Sequence, residues 1–165
     1  MEHLLGPCRA GNRKAQKKLY DIMSPMLMGI CLRYLKQEEA EEALSNAFIK
    51  IFANLDSFKE DGSFEGWMKR IAVRECLTYI RLNKSMDASD EVVEVAVSNS
   101  FSSEQDYLLA VIGSLPTGYR TVFNLFAIEG YNHNEISSML GISPGTSKSQ
   151  LSKARKLLQE RLGHE

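Results

Sequence analysis

Apolar and polar positions follow a helical period over most of the chain from Asn12 onward, and few stretches alternate as a half-buried strand would. The signals are most decided between Asn132 and Leu162. Asn132 can cap a helix and Glu135, three residues on, can reach back to complete a capping box, ahead of the apolar Ile136, Met139 and Leu140. Gly141 supplies a left-handed stop, and Ser143-Pro144 offers an N-cap with proline at the first helical position. In the helix that follows, Ser147, Leu151, Ala154, Leu158 and Leu162 share one face and four of these five are apolar. Lys148, Ser149, Ser152, Lys153 and Lys156 lie broadly on the other side. A short helix, a glycine turn and a basic second helix is the arrangement that sets a recognition helix in a DNA major groove. The plain alternative is a helical hairpin whose lysine face is merely solvated.

The upstream pattern predicts further helices. Pro25 divides two early ones, of which the second, Met26 to Leu35, is apolar nearly all round and reads as core, its methionines as filler. Glu38 to Asn54 is amphipathic, with Ala40, Leu44, Ala47, Phe48, Ile51 and Leu55 on its inner face. Glu42, Asn46, Ile49 and Ala53 form a stripe on the opposite side, which is either a protein-docking surface or an ordinary exposed face carrying one apolar residue. After a loop from Leu55 to Phe64, a helix reaches about Leu82. On it Trp67, Arg70, Arg74 and Arg81 fall within about 60° of one another, bordering the apolar Val73, Cys76, Leu77 and Ile80. An aromatic among arginines suits phosphate tracking and base stacking, while Trp67 as a core anchor with solvated arginines is the competing reading. Asn83 to Ser103 loses periodicity and reads as a linker, with a short strand at Glu91 to Val97 as an option. Helical pattern resumes at Glu104 through Tyr107, Leu108, Val111, Ile112 and Leu115. Pro116 opens another helix carrying Val122, Phe123, Leu125, Phe126 and Ile128, and Gly130 closes it.

Composition narrows the classes. With 165 residues, 44% hydrophobic and 25% charged, the chain suits a soluble globular protein of at most two small domains. Its net charge of -1 is not that of a nonspecific nucleic-acid coat. The charge is instead distributed: Lys148, Lys153, Arg155, Lys156 and Arg161 face the single carboxylate Glu160 in the last helix, while Asp87 to Glu94 is acidic. Cys8, Cys31 and Cys76 are odd in number and show no CxxC, so neither a disulfide framework nor a zinc site is indicated, and a reducing cytoplasm fits. No apolar run approaches the roughly 20 residues that span a bilayer, and the first residues lack a signal-peptide core, so no membrane insertion is expected. His3, His133 and His164 have no ligand-spaced partners; no metal, no cofactor and no catalytic residue is expected. A recombinase or nuclease would need an activated nucleophile or metal-binding carboxylates. A helix-turn-helix regulator that only binds a duplex operator would leave Trp67 and Ile49 unexplained.

An ordered series of short motifs now carries a resemblance: Ala40-Glu41-Glu42 with Phe48-Ile49-Lys50-Ile51-Phe52, Phe64-Glu65-Gly66-Trp67 with Arg70-Ile71-Ala72, then Arg81. It continues with Leu115-Pro116, Tyr119-Arg120, Val122-Phe123, Glu135-Ile136, Leu140-Gly141-Ile142-Ser143, Gly145-Thr146, Lys148-Ser149 and Ala154-Arg155. The chain resembles an extracytoplasmic-function (ECF) sigma factor, the compact two-domain branch of the principal bacterial RNA polymerase sigma family. The resemblance implies an all-α fold of two small helical domains: residues 1–82 resembling sigma region 2, a flexible linker 83–103, and residues 104–165 resembling the region 4 helix-turn-helix domain.

It implies partners too: core RNA polymerase, through the clamp helices and flap of its large subunits, promoter DNA and an anti-sigma factor. By position, Glu42, Asn46 and Ile49 match the polymerase-docking helix, and the loop with Lys59, Asp61 and Ser63 matches the one that captures an extruded minus-10 base. Trp67, Arg70, Arg74 and Arg81 match the melting helix. Lys148, Ser149, Ser152 and Lys153 match positions facing minus-35 bases, with Thr146, Arg155 and Lys156 beside them and the first two of these holding backbone. Ser45-Asn46 replaces a common Gln-Asp, and Arg74 and Thr78 replace a common asparagine and aspartate. Ser147 and Gln150 replace a usual valine and arginine, which predicts a looser inner face and one fewer positive contact.

Overall fold

The computed structural model describes residues 2–83 and 103–163. Among them every regular element is helical. The expected linker from Asn83 to Ser103, apart from its end residues, and the optional strand at Glu91 to Val97 lie outside the described residues. The chain divides into two compact units, Met1–Leu82 and Asn83–Glu165.

In the first unit a 3-10 turn (Glu2–Leu4) leads into α1 (Leu5–Arg9), followed by α2 (Arg13–Tyr34), α3 (Gln37–Ala53), a 3-10 turn (Leu55–Ser57) and α4 (Phe64–Asn83). Asn12 caps α2 by accepting from the backbone N–H groups of Lys14 and Ala15 at 3.0 and 3.1 Å. Glu39 reaches back to the Lys36 N–H at 2.9 Å to start α3. The inner faces of α2, α3 and α4 supply the core, among them Leu19, Met23, Ile51 and Met68.

Two expectations are corrected here. Pro25 does not divide two helices; α2 runs through it unbroken. Proline inside a helix costs about 3 kcal/mol, but Leu19, Met23, Leu27 and Ile30 are all buried on the one face. Pro25 and Asp21, whose carbonyl loses its partner, are on the exposed side, where water can satisfy the carbonyl. The stretch Met26 to Leu35 is also not buried all round, since Leu32 is left 41% exposed. Separately, α2 and α4 bring Cys31 and Cys76 together as buried free thiols. The hydrogen bond to Cys31, and then burial, push the Cys76 thiol above its ordinary range, so it stays protonated.

The second unit contains α5 (Glu104–Gly113), α6 (Thr117–Phe123), a π-turn (Asn124–Ile128), α7 (His133–Leu140) and α8 (Pro144–Leu162). Val111, Ile112 and Leu115 pack against Ala154 and Leu158 of α8, with Tyr107, Tyr119 and Phe123 around them. The helix expected to run from Pro116 to Gly130 is continuous from Thr117 to Ile128, but its end is not a regular α-helix. Its last turn widens so that the Glu129 N–H bonds to the Asn124 carbonyl, five residues back, at 3.0 Å. That extra residue lets Leu125 stay buried while Phe126 meets His133, the two rings stacked with centroids 4.7 Å apart.

Candidate nucleic-acid interface

The helix-turn-helix is built by the local chemistry its sequence announces. The Asn132 side chain accepts from the N–H groups of Asn134 and Glu135 at 2.9 and 3.0 Å, and Glu135 accepts from the Asn132 N–H at 2.8 Å. Gly141 adopts φ 66°, ψ 35°, and its N–H closes α7 on the Ser137 carbonyl at 2.9 Å. A side chain at this position would be strained. Ser143 accepts from the Thr146 N–H at 3.0 Å and starts α8 with Pro144 at its head.

On α8 the inner positions Ser147, Leu151, Ala154 and Leu158 are buried, while Lys148, Ser149, Ser152, Lys153, Arg155 and Lys156 are exposed. Several of these carry further contacts. Lys153 Nζ lies over the Tyr119 ring and the Arg155 guanidinium over the Phe126 ring, each 5.7 Å from the centroid, within cation–π range. Lys156 is 3.9 Å from Glu160. The Thr146 hydroxyl is 2.9 Å from that of Ser143 and so belongs to the cap. Arg161 turns to the Ser114 hydroxyl, leaving four exposed cations on this helix: Lys148, Lys153, Arg155 and Lys156.

Ser147 does not loosen the inner face as its departure from valine suggests. It is 0% exposed, and its hydroxyl is 2.9 Å from Nδ1 of His133. Ser147, His133, Phe126 and Arg155 therefore form a closed chain that leaves α8 at one position and returns to it two turns later. His133, which as a metal ligand had no partner in the sequence, and Phe126, known there only as apolar, are the members that sequence reasoning missed.

In the first unit Glu42, Asn46 and Ile49 are all exposed on the outer face of α3, Ile49 at 65%. Burial, and then the negative charges of Glu39, Glu42 and Glu38, push the Tyr79 hydroxyl of α4 above its ordinary value; Lys50 of α3 pairs with Glu75 of α4 at 2.6 Å. On α4, Arg70, Arg74 and Arg81 are exposed, and among the described residues no ion pair engages them, whereas neighbouring Lys69 is paired to Glu65 at 2.7 Å. Trp67 is half-buried. Its ring lies 5.6 Å from Phe58 and 5.8 Å from Phe64, so it is both anchored in an aromatic cluster and open at its outer side.

The loop before α4 keeps Lys59, Asp61 and Ser63 exposed, but the Ser63 hydroxyl accepts from the Gly66 N–H at 3.2 Å and serves the helix start. Between them Glu60 stands at φ 60°, a left-handed conformation that costs a residue with a side chain about 1–3 kcal/mol. The group that grips this loop is Arg9 of α1, a residue nothing in the sequence singles out. Its Nε donates to the Leu55 carbonyl at 3.1 Å, one terminal nitrogen to Glu60 at 2.7 Å and the other to the Phe58 carbonyl.

Among the described residues no cluster of histidines, cysteines or carboxylates could hold a metal ion, and no helix is long and apolar enough to cross a membrane. Two family models match the chain: Sigma-70 region 2 over residues 19–86 and Sigma-70, region 4 over residues 105–158. The chain belongs to the sigma-70 family. The ECF RNA polymerase sigma factor SigW of Bacillus subtilis is 28% identical over 179 residues, covering 93% of this chain and 92% of that protein. The ECF RNA polymerase sigma-E factor of Haemophilus influenzae is 21% identical over 169 residues, covering 92% and 89%. This sigma-70 family member is of the ECF type, an RNA polymerase sigma factor. The sigma factor RpoE of Bartonella quintana, solved with the anti-sigma factor NepR, has the same fold, with a TM-score of 0.57, 23% identity and coverage of 90% of this chain and 97% of that one. In this sigma factor the region 2 match runs from within α2 through α4 and the region 4 match covers most of α5 to most of α8. Arg9 lies ahead of both matches.

Proposed function

We propose that this ECF sigma factor binds core RNA polymerase through the outer face of α3, opens promoter DNA with the first unit and reads the minus-35 element with α8. Glu42, Asn46 and Ile49 form the docking stripe, an apolar group flanked by polar ones, suited to the clamp helices of the polymerase. Lys59 and Asp61 display the loop that receives an extruded minus-10 base, with Ser63 at its root. Trp67 offers its open side to the opening duplex, and Arg70, Arg74 and Arg81 track phosphates. Lys148, Ser149, Ser152 and Lys153 face minus-35 bases, while Arg155, Lys156 and the Thr146 end of the helix follow the backbone. Residues 1–82, 83–103 and 104–165 act as the docking and melting domain, the linker and the minus-35 domain.

No covalent chemistry is required of these residues. Duplex contacts and captured bases offset the few kcal/mol that each unstacked base costs, and the polymerase supplies catalysis. The protein would work in the cytoplasm, with its polymerase. An anti-sigma factor is the further partner expected, in keeping with the complex in which the Bartonella relative was solved.

The observation that carries this reading is that the first unit presents Ile49 and three exposed arginines, with no ion pair to them among the described residues, that a simple operator-binding regulator would not need. Run-off transcription with core polymerase and a promoter library tests it directly. Ile49→Asp should keep its circular dichroism spectrum yet lose core polymerase in a pull-down and lose run-off product. Normal binding of core by that variant would remove α3 from the docking surface.

A further inference from the structure

We propose that Arg9 is a positioning residue for minus-10 recognition: from α1 it fixes the conformation in which the loop before α4 receives an extruded base. This rests on the reading of that loop given above.

The geometry is specific to an arginine. One guanidinium uses its three nitrogens on three acceptors spread over six residues, the carbonyls of Leu55 and Phe58 and the carboxylate of Glu60. A planar fork can hold such a set at once, and the point charge of a lysine cannot. The base of the fork is itself held. Leu5 and Cys8 bury α1 in the core, and Gln16 of α2 donates to the Cys8 carbonyl at 3.3 Å. Asp56, at 3.9 Å and 92% exposed, adds little to the grip.

Each acceptor controls something the loop must do. Holding the Phe58 carbonyl seats the Phe58 ring, which lies 5.2 Å from Phe64 and 5.6 Å from Trp67. Holding the Glu60 carboxylate keeps a strained left-handed residue in place between Lys59 and Asp61, so those two side chains leave the loop in fixed directions. A loop that must accept one flipped base gains affinity and selectivity from being ordered beforehand. Arg9 therefore acts on the DNA through the loop, without touching it.

The test uses the full chain, free and reconstituted with core polymerase, with Arg9→Lys as the main variant and Glu60→Gln as a milder one that keeps both carbonyl contacts. Three quantities are read: amide hydrogen exchange across residues 56–63, selection from a pool of single-stranded oligonucleotides randomised over the minus-10 segment, and affinity for a minus-35 duplex. Arg9→Lys should raise exchange in the loop and lower single-strand affinity by about tenfold, flattening the preference at one base, with duplex affinity within about twofold of the parent. Glu60→Gln should move the same readouts in the same direction by less. Unchanged exchange in Arg9→Lys would overturn the proposal. Faster exchange with unchanged selection would leave Arg9 as a brace and overturn the assignment of the loop to base capture.

Discussion

The arginine face of α4 and the lysine face of α8 are both exposed sides of helices with buried inner faces, yet the segments that lead into the two helices are set in opposite ways. What starts α8 is near in sequence: an Asn132–Glu135 capping box, the Gly141 stop and the Ser143 cap, with the side-chain chain from Ser147 through His133 and Phe126 back to Arg155 beside them, while its far end is tied back to α5 through Arg161 and Ser114. The loop that leads into α4 is instead gripped by an arginine that lies 46 to 51 residues before the groups it binds. A regular helix can display a reading surface from its own periodicity. A loop that must take up a single base needs a distant side chain to give it one shape.

The largest effect expected within this comparison comes from unpacking α8. Leu151→Ala should destabilise the second unit by about 2–5 kcal/mol, seen in thermal unfolding by circular dichroism, because Leu151 is buried in the inner face. A loss below about 1 kcal/mol would mean that the inner face is not what holds the helix.

Next comes the division of labour on the outer face. With four exposed cations on α8, counterion release predicts about a hundredfold loss of minus-35 duplex affinity between roughly 50 and 200 mM salt. Lys153→Ala should cost about 1–3 kcal/mol of discrimination at one or two base positions, whereas Arg155→Ala should weaken all sequences nearly alike and lower the salt slope by about one unit. Both variants measured across a minus-35 library at two salt concentrations decide this. Were Lys153→Ala to lower affinity everywhere with preference intact, its place over Tyr119 would be a packing contact and nothing more.

The smallest effect sharpens the comparison most. Ser147→Ala should cost about 1 kcal/mol by leaving His133 without its hydroxyl partner. A double-mutant cycle with His133→Ala should show coupling of about 0.5–1.5 kcal/mol in stability. Additive losses would show that the two residues act separately and that α8 is not tied through them.

The same contrast explains what could be read from the sequence. Caps, the glycine stop and the inner stripe of α8 were legible because each is a rule about neighbours a few residues apart. The exposed stripes of α3 and α4 were legible from the helical period. Pro25 misled because local propensity was outweighed by the buried face of α2 on either side of it. Ser147 misled because its partner, His133, is reached only after the chain turns. Arg9 gave no signal, since a single arginine near the start of a chain carries no periodicity and no motif; only folding brings it to Leu55, Phe58 and Glu60.

The π-turn at Asn124–Ile128 has a consequence for the lengths this segment tolerates. Counted along the helix axis, the added residue is worth only about 1.5 Å, but counted around the axis it is worth about 100°. Removing one residue there would restore a regular ladder and shorten the segment by almost nothing, while swinging Phe126 away from both His133 and Arg155. The segment therefore behaves as an angular setting in which a deletion of one residue is read as a rotation. Homologous chains that differ by one residue at this point would carry their following helices in a different phase.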